Sequence, residues 1–279
     1  MRFHNQKPES AEDCTSLLTR NPSLVYLNHE TRSIRLTKPG GPRTAFKVFG
    51  SPYSPGDTDR WAFRYPPDST TASGLWNQIP GDADVVVTHT PPWGHCDNNY
   101  GENIGCETLR RALWRVRPRL TVCGHVHSSR GYDRVWWDIA DSEGFGELYS
   151  ESGTLPPLGS KKQNLVDLTG RKQRRLCNDG TMDWSSSQDN SKTGSAAVSE
   201  PTASAGNDTV PKSSNSLFNP QSNIKPGRNE TCIVNAAILA NSYPFTGGKK
   251  FNAPIIVDLD LPSDTSTEEC RNEGSTITA

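Results

Sequence analysis

Cys123-Gly124-His125-Val126-His127 closes a run of strand-forming residues that begins at Arg119. A second run of this kind, residues 84–87, continues into Thr88-His89-Thr90-Pro91-Pro92. Short runs of apolar and β-branched residues predict buried strands of a parallel sheet. Open α/β sheets place their chemistry at the carboxyl ends of such strands. We therefore expect the three histidines of these two stretches to lie on loops at one edge of the sheet.

His89, His125 and His127 are the candidate metal ligands of the chain. In extended backbone, residues i and i+2 point to the same side about 6–7 Å apart, so His125 and His127 are expected to converge on one cation or on two neighbouring ones. Gly124 permits a sharp turn before them. The plainer alternative for each histidine is a side chain that is hydrogen-bonded in the core or solvated.

Five segments occur along the chain in a specific order. They are Lys47-Val48-Phe49-Gly50-Ser51-Pro52-Tyr53-Ser54-Pro55, Val85-Val86-Val87-Thr88-His89-Thr90-Pro91-Pro92, Val116-Arg117-Pro118-Arg119-Leu120, Cys123-Gly124-His125-Val126-His127 and Thr231-Cys232-Ile233-Val234-Asn235-Ala236. In this order they resemble the calcineurin-like metallophosphoesterases, and within them a branch with fungal members and brain-expressed animal relatives. The resemblance implies an α/β fold, a two-sheet sandwich flanked by helices (αββα), here N-terminally truncated.

The resemblance also implies the chemistry of the site. Two divalent metal ions, Mn, Fe, Zn or Mg, activate a hydroxide that attacks phosphorus in the intact family site. By this resemblance His89 and His125 bind one metal and His127 binds the other. The implied function is metal-dependent hydrolysis of a phosphodiester or phosphomonoester, with a small-molecule phosphoester as substrate.

The chain departs from the family pattern before His89. The family's Asp-x-His motif is absent there, and Gly56-Asp57 and Gly81-Asp82 do not follow strand-like runs. Asn28-His29-Glu30 mimics a third family motif, Gly-Asn-His, but the alternating residues after it predict a strand instead of a loop. We therefore expect at most one weakly bound metal and impaired activity. No residue of the chain is assigned a catalytic role. The alternative is a non-catalytic remnant that acts as a structural or binding module.

Composition divides the chain into four parts. Residues 1–179 are expected to form the C-terminal part of the phosphoesterase domain, and residues 230–262 two closing strands of its second sheet. Between them, residues 180–229 contain hardly any bulky apolar side chains, which predicts a disordered low-complexity insertion. Residues 263–279 are expected to form a flexible tail.

Charge and cysteine usage limit the partners and the compartment. The formal net charge is −1, which argues against nucleic acid as a partner. The helix predicted at 105–116 is expected to expose its arginines, together with Arg117 and Arg119. Seven cysteines without CxxC spacing predict free thiols in a reducing compartment, and no signal peptide or membrane span is recognised. These features predict a cytoplasmic protein that does not bind membranes.

Overall fold

A mixed seven-stranded sheet organises the part of the chain that this computed structural model describes, residues 10–56, 62–141, 143–179, 227–241 and 245–264. The helices are α1 (Ala11–Thr19), α2 (Ser69–Trp76) and α3 (Glu107–Val116). The strands are β1 (Glu30–Leu36), β2 (Thr44–Ser51), β3 (Ser54–Pro55), β4 (Arg64–Tyr65), β5 (Val85–Thr88), β6 (Asn98–Asn99), β7 (Glu102–Asn103), β8 (Leu120–Cys123), β9 (Gly131–Trp137), β10 (Glu147–Gly153), β11 (Asn164–Asp167), β12 (Glu230–Asn235) and β13 (Ile255–Asp258).

The strand order of the large sheet is β1-β2-β5-β8-β12-β9-β10. Strands β2, β5, β8 and β12 run parallel, and antiparallel strands flank them on both sides. The two runs that precede the histidine motifs are β5 and β8, which are adjacent and parallel as predicted. Their carboxyl ends therefore meet at one edge of the sheet.

Strands β1 and β2 form the hairpin that the alternating sequence predicts, with Glu30 opposite Gly50 and Leu36 opposite Thr44. His29, just before β1, has a φ of 58° and its Nδ1 lies 3.0 Å from Ser51 Oγ. Its ring packs edge-on against Phe49 and Tyr53. The Asn28-His29-Glu30 likeness is thus accidental, because His29 is a partly buried packing residue.

Helices α2 and α3 cover one face of the large sheet. The buried side chains of α3, including Leu109 and Leu113, pack with Trp76 of α2 against Val86 and Ile233 of the sheet. The prediction that the arginines of this region are solvated was wrong for Arg110 and Arg117, which are 7% and 5% exposed. Arg110 is buried because a carboxylate and two aromatic rings surround it.

A small parallel sheet of β11 and β13 covers part of the other face. Val166 and Val257 from this sheet pack against Tyr132 and Val234 of the large sheet, which gives the predicted sandwich of two sheets with helices outside. The prediction that both closing strands belong to the second sheet was wrong for β12. That strand lies inside the large sheet, because it fills the place between β8 and β9.

The predicted insertion at 180–229 and the predicted tail at 263–279 lie mostly outside the described residues, which include only 227–229 and 263–264 of them. Six of the seven cysteines are free thiols in the described part, and five of those six are buried. None of the described helices has the length and apolar character needed to cross a membrane.

Candidate metal centre

His89 and His125 meet at the carboxyl ends of β5 and β8. Their rings lie 4.7 Å apart between centroids, and His89 Nε2 is 3.0 Å from His125 Nδ1. The backbone joins the two loops as well, because Gly124 N–H donates to His89 O at 3.1 Å. The sequence prediction that these loops lie together is confirmed.

The backbone at His125 differs from the extended conformation that the sequence suggested. His125 has a φ of 66°, and Val126 N–H donates to Gly124 O at 2.7 Å across it. This is a three-residue γ-turn with a positive φ, a strained conformation for a residue that carries a Cβ. His127 begins a 3₁₀ turn, His127–Ser129, and its Nδ1 lies 3.2 Å from Asn241 O. The two histidines therefore do not follow the i, i+2 geometry of a strand.

The environment keeps both paired imidazoles neutral. His89 is exposed at the surface, but partial desolvation of its ring lowers its pKa, and the charges of Arg64 and His127 lower it further. Burial, with the charges of His89, Arg64 and His127, lowers the pKa of His125 to about 4. Because a metal ion binds the neutral form of imidazole, both rings are ready to act as ligands at neutral pH.

The separation of the two nitrogens is close to that of two ligands on a shared cation. Two imidazole nitrogens bound to one tetrahedral zinc ion at about 2.0–2.1 Å each lie roughly 3.3–3.4 Å apart. The observed 3.0 Å is a hydrogen-bond contact between the rings, so a cation would enter after they part by a few tenths of an ångström. Within the described ranges, no group of three or more His, Cys, Asp or Glu side chains is gathered as a metal site. The structure thus brings His89 and His125 together as a pair of ligands and places His127 close enough to affect the pKa of both.

Arg64 was not singled out by the sequence, because isolated arginines carry no motif. It donates from Nη1 to Ser54 Oγ at 2.9 Å and to Pro55 O, which fixes its position beside the histidine pair. A cavity of about 650 Å³ opens next to His89 and is lined by Ser51, Phe63 and Val87, among others. The charge of Arg64 acts on both histidines, and it favours an anion in the neighbouring cavity.

A second cluster, centred on His95, anchors the loop that follows His89. His95 is 2% exposed, and its Nε2 lies 3.0 Å from Glu147 Oε2 while its Nδ1 lies 3.7 Å from Asp133 Oδ2. Arg110 Nη2 approaches the same Glu147 oxygen at 3.3 Å. Burial opposes the charged form, but the two carboxylates outweigh burial and raise the pKa of His95. A charged His95 thus ties the loop to β9 and β10.

This cluster predicts a definite dependence of stability on pH. Because folding raises the pKa of His95, the charged ring stabilises the fold fully below the unfolded-state pKa of 6.5. This stabilisation is lost as the pH rises through the folded-state pKa. We therefore expect the unfolding free energy of the wild type relative to His95→Gln to fall between pH 6 and pH 9, measured by urea unfolding. His29→Gln is the control. Because burial lowers the pKa of His29, the unfolding free energy of the wild type relative to this variant is expected to rise with pH instead of falling. A wild-type advantage over His95→Gln that stays constant or grows over this range would contradict the assignment.

Known proteins that match parts of the chain include a human, a nematode and a fungal protein. It is 34% identical over 128 residues to Metallophosphoesterase domain-containing protein 1 of Homo sapiens, which covers 45% of this chain and 35% of that protein. It is 42% identical over 86 residues to UPF0046 protein T07D4.2 of Caenorhabditis elegans, covering 30% of this chain and 21% of that protein. It is 42% identical over 119 residues to Probable rhamnogalacturonate lyase C of Emericella nidulans, covering 42% of this chain.

The chain spans only part of each of these relatives, from 10% of the fungal protein to 35% of the human one. No protein-family model matches the chain. Over its matched residues, the chain is similar to a human metallophosphoesterase-domain protein.

Proposed function

We propose that this chain provides part of a metal-dependent phosphoesterase site, in which His89 and His125 hold one divalent cation. The observation that carries the proposal is the 3.0 Å separation of two neutral imidazole nitrogens at the ends of adjacent parallel strands. Imidazole suits Zn and Fe, and Mn is taken from the family resemblance. His127 is the third candidate ligand, through its position beside the pair. A bound divalent ion supplies a nucleophilic hydroxide and Lewis-acid stabilisation of phosphoryl oxygens.

The residues around the pair have defined parts in this proposal. Arg64 places positive charge where a phosphoester anion would bind, and it is held there by Ser54 and Pro55. The adjoining cavity has apolar walls that include Phe63 and Val87, which suit the organic part of a small phosphoester. Phe63 and Val87 cannot donate a proton to the leaving group, so no general acid is assigned among the cavity walls.

A specific observation also favours a second function, that of a non-catalytic binding module. No carboxylate joins the imidazole pair in a cluster of three ligands in the described segments. Two adjacent divalent cations repel each other strongly unless carboxylates lie around them. A site of neutral imidazoles therefore suits a single weakly bound cation, which retains phosphate without efficient hydrolysis.

Turnover of a chromogenic phosphodiester with added Mn²⁺ tests the proposal. We expect slow, manganese-dependent hydrolysis by the wild type and a rate at the buffer background for His125→Ala. His29→Ala is the matched control, because it removes another partly buried histidine that lies outside the pair. Hydrolysis that His125→Ala leaves unchanged would exclude the site. Absence of turnover at every manganese concentration would favour the binding module.

A further inference from the structure

Asn235 ends β12 beside the loop that carries His125, and it has no part in the proposed chemistry. Its side chain is completely buried. Its Nδ2 donates to Val126 O at 2.8 Å and to Cys96 O at 3.0 Å, and its Oδ1 accepts from Ala237 N–H at 3.0 Å. Each polar atom of this amide is therefore bound to backbone, and the amide joins three separate segments.

The carbonyl of Val126 lies at the C-terminal end of the strained turn at His125. Strained conformations persist only where the surroundings hold them in place, and they concentrate at functional sites. The N-terminal end of the turn is held by two backbone hydrogen bonds, from Gly124 N–H to His89 O and from Ala236 N–H to Cys123 O at 2.8 Å. The C-terminal end is held by the Asn235 side chain, which donates to Val126 O. Ser129 N–H also donates to this carbonyl at 3.1 Å.

We propose that Asn235 is the positioning residue of the metal centre, which holds the His125 turn in its strained form and so directs Nδ1 of His125 toward His89. The second hydrogen bond of Asn235 extends this control to the loop after His89, because Cys96 adjoins His95 and its N–H donates to Asp133 Oδ2 at 3.0 Å. One amide thus fixes both loops that carry the pair relative to each other.

The consequence for metal binding rests on the proposed function, whereas the effect on ring geometry does not. Without Asn235, the turn can relax to a negative φ, which rotates the Cα–Cβ bond of His125 away from His89. Residues that orient metal ligands from outside the site change metal affinity by about 10- to 100-fold when they are replaced. We expect a loss of cobalt affinity in this range.

The test compares Asn235→Ala with Asn178→Ala in the full chain. Asn178 is a matched control, because it is also completely buried and its Nδ2 donates to backbone carbonyls, those of Arg117 and Pro118, at the opposite end of the sheet. In proteins with isotope-labelled histidine, we expect the nuclear Overhauser contact between the His89 and His125 rings to disappear in Asn235→Ala and to persist in Asn178→Ala. Cobalt absorption titrations of the same proteins give the affinities.

Each outcome is decisive for one of the two proposals. A ring contact that persists in Asn235→Ala would overturn the positioning role. Loss of the contact, in a chain whose wild type binds no cobalt, supports the positioning role and contradicts only the proposed function. Should Asn235→Ala fail to fold, Asn235→Asp keeps the acceptor for Ala237 and removes both donors. In the wild type, the Asn235 side-chain amide must exchange with solvent as slowly as the central backbone amides, and rapid exchange would also overturn the role.

Discussion

Replacement of Glu230 with glutamine is expected to lower the free energy of unfolding by about 3–5 kcal/mol, the usual result of leaving a buried charge without its partner. Glu230 is completely buried. Its Oε1 accepts from Arg134 Nε at 2.6 Å and from Arg174 Nη2 at 2.9 Å, and its Oε2 accepts from Arg174 Nη1 at 3.0 Å and from Cys177 N–H at 2.8 Å. Glutamine would leave two guanidinium groups facing a neutral amide, one end of which is itself a donor.

Urea unfolding at neutral pH measures this loss. The control is Asp260→Asn, which removes a carboxylate from Arg175 at 3.1 Å in a surface pair with side chains 55% and 50% exposed. Exposed ion pairs contribute about 0–1 kcal/mol, so this variant is expected to unfold nearly as the wild type does. Equal losses in the two variants would show that burial of Glu230 does not govern the result.

Asp84→Asn, at the same amino-terminal end of the parallel strands, is expected to lower the free energy of unfolding by a similar amount, about 3–5 kcal/mol. Asp84 and Arg228 are 2% and 3% exposed, and Asp84 Oδ1 lies 2.7 Å from Arg228 Nη2. Asp84 Oδ2 accepts from Lys47 N–H at 2.9 Å, so the carboxylate joins β2, β5 and the segment that leads into β12. Asparagine would leave the buried Arg228 without the carboxylate to which it is hydrogen-bonded.

The neighbouring variant Asp82→Asn is the control for this prediction. Asp82 pairs with Lys47 Nζ, and both side chains are substantially exposed, at 37% and 42%. We expect it to cost at most about 1 kcal/mol. Differential scanning calorimetry of the two variants at the same pH compares their thermal midpoints. A larger fall for Asp82→Asn than for Asp84→Asn would contradict the description of the buried pair.

The strands of the large sheet were predictable where one pattern settled them. Alternation identified the β1–β2 hairpin, and short β-branched runs identified β5 and β8. The position of β12 was not predictable, because an apolar strand fits equally into either sheet until its neighbours are known. The burial of Arg110 was missed for a similar reason, since its partner Glu147 is distant in sequence and only the tertiary structure brings them together. The same applies to Arg174 and Glu230, which lie 56 residues apart.

The sequence predicted which loops form the site, but it did not predict how the histidine rings are oriented within it. Strand-end histidines on adjacent parallel strands had to meet, and His89 and His125 do. The conformation of His125 was not predictable, because a positive φ at a non-glycine residue depends on hydrogen bonds from other segments. Asn235, Arg64 and the His95 cluster act through contacts that leave no local pattern in the sequence.

Anomalous diffraction from crystals of the full chain soaked in Mn²⁺ tests the metal centre most directly. We predict an anomalous peak between His89 Nε2 and His125 Nδ1, within bonding distance of both nitrogens, and its loss in crystals of His125→Ala. Rings that remain hydrogen-bonded to each other at 3.0 Å in the presence of manganese, with no peak beside them, would contradict the proposed centre.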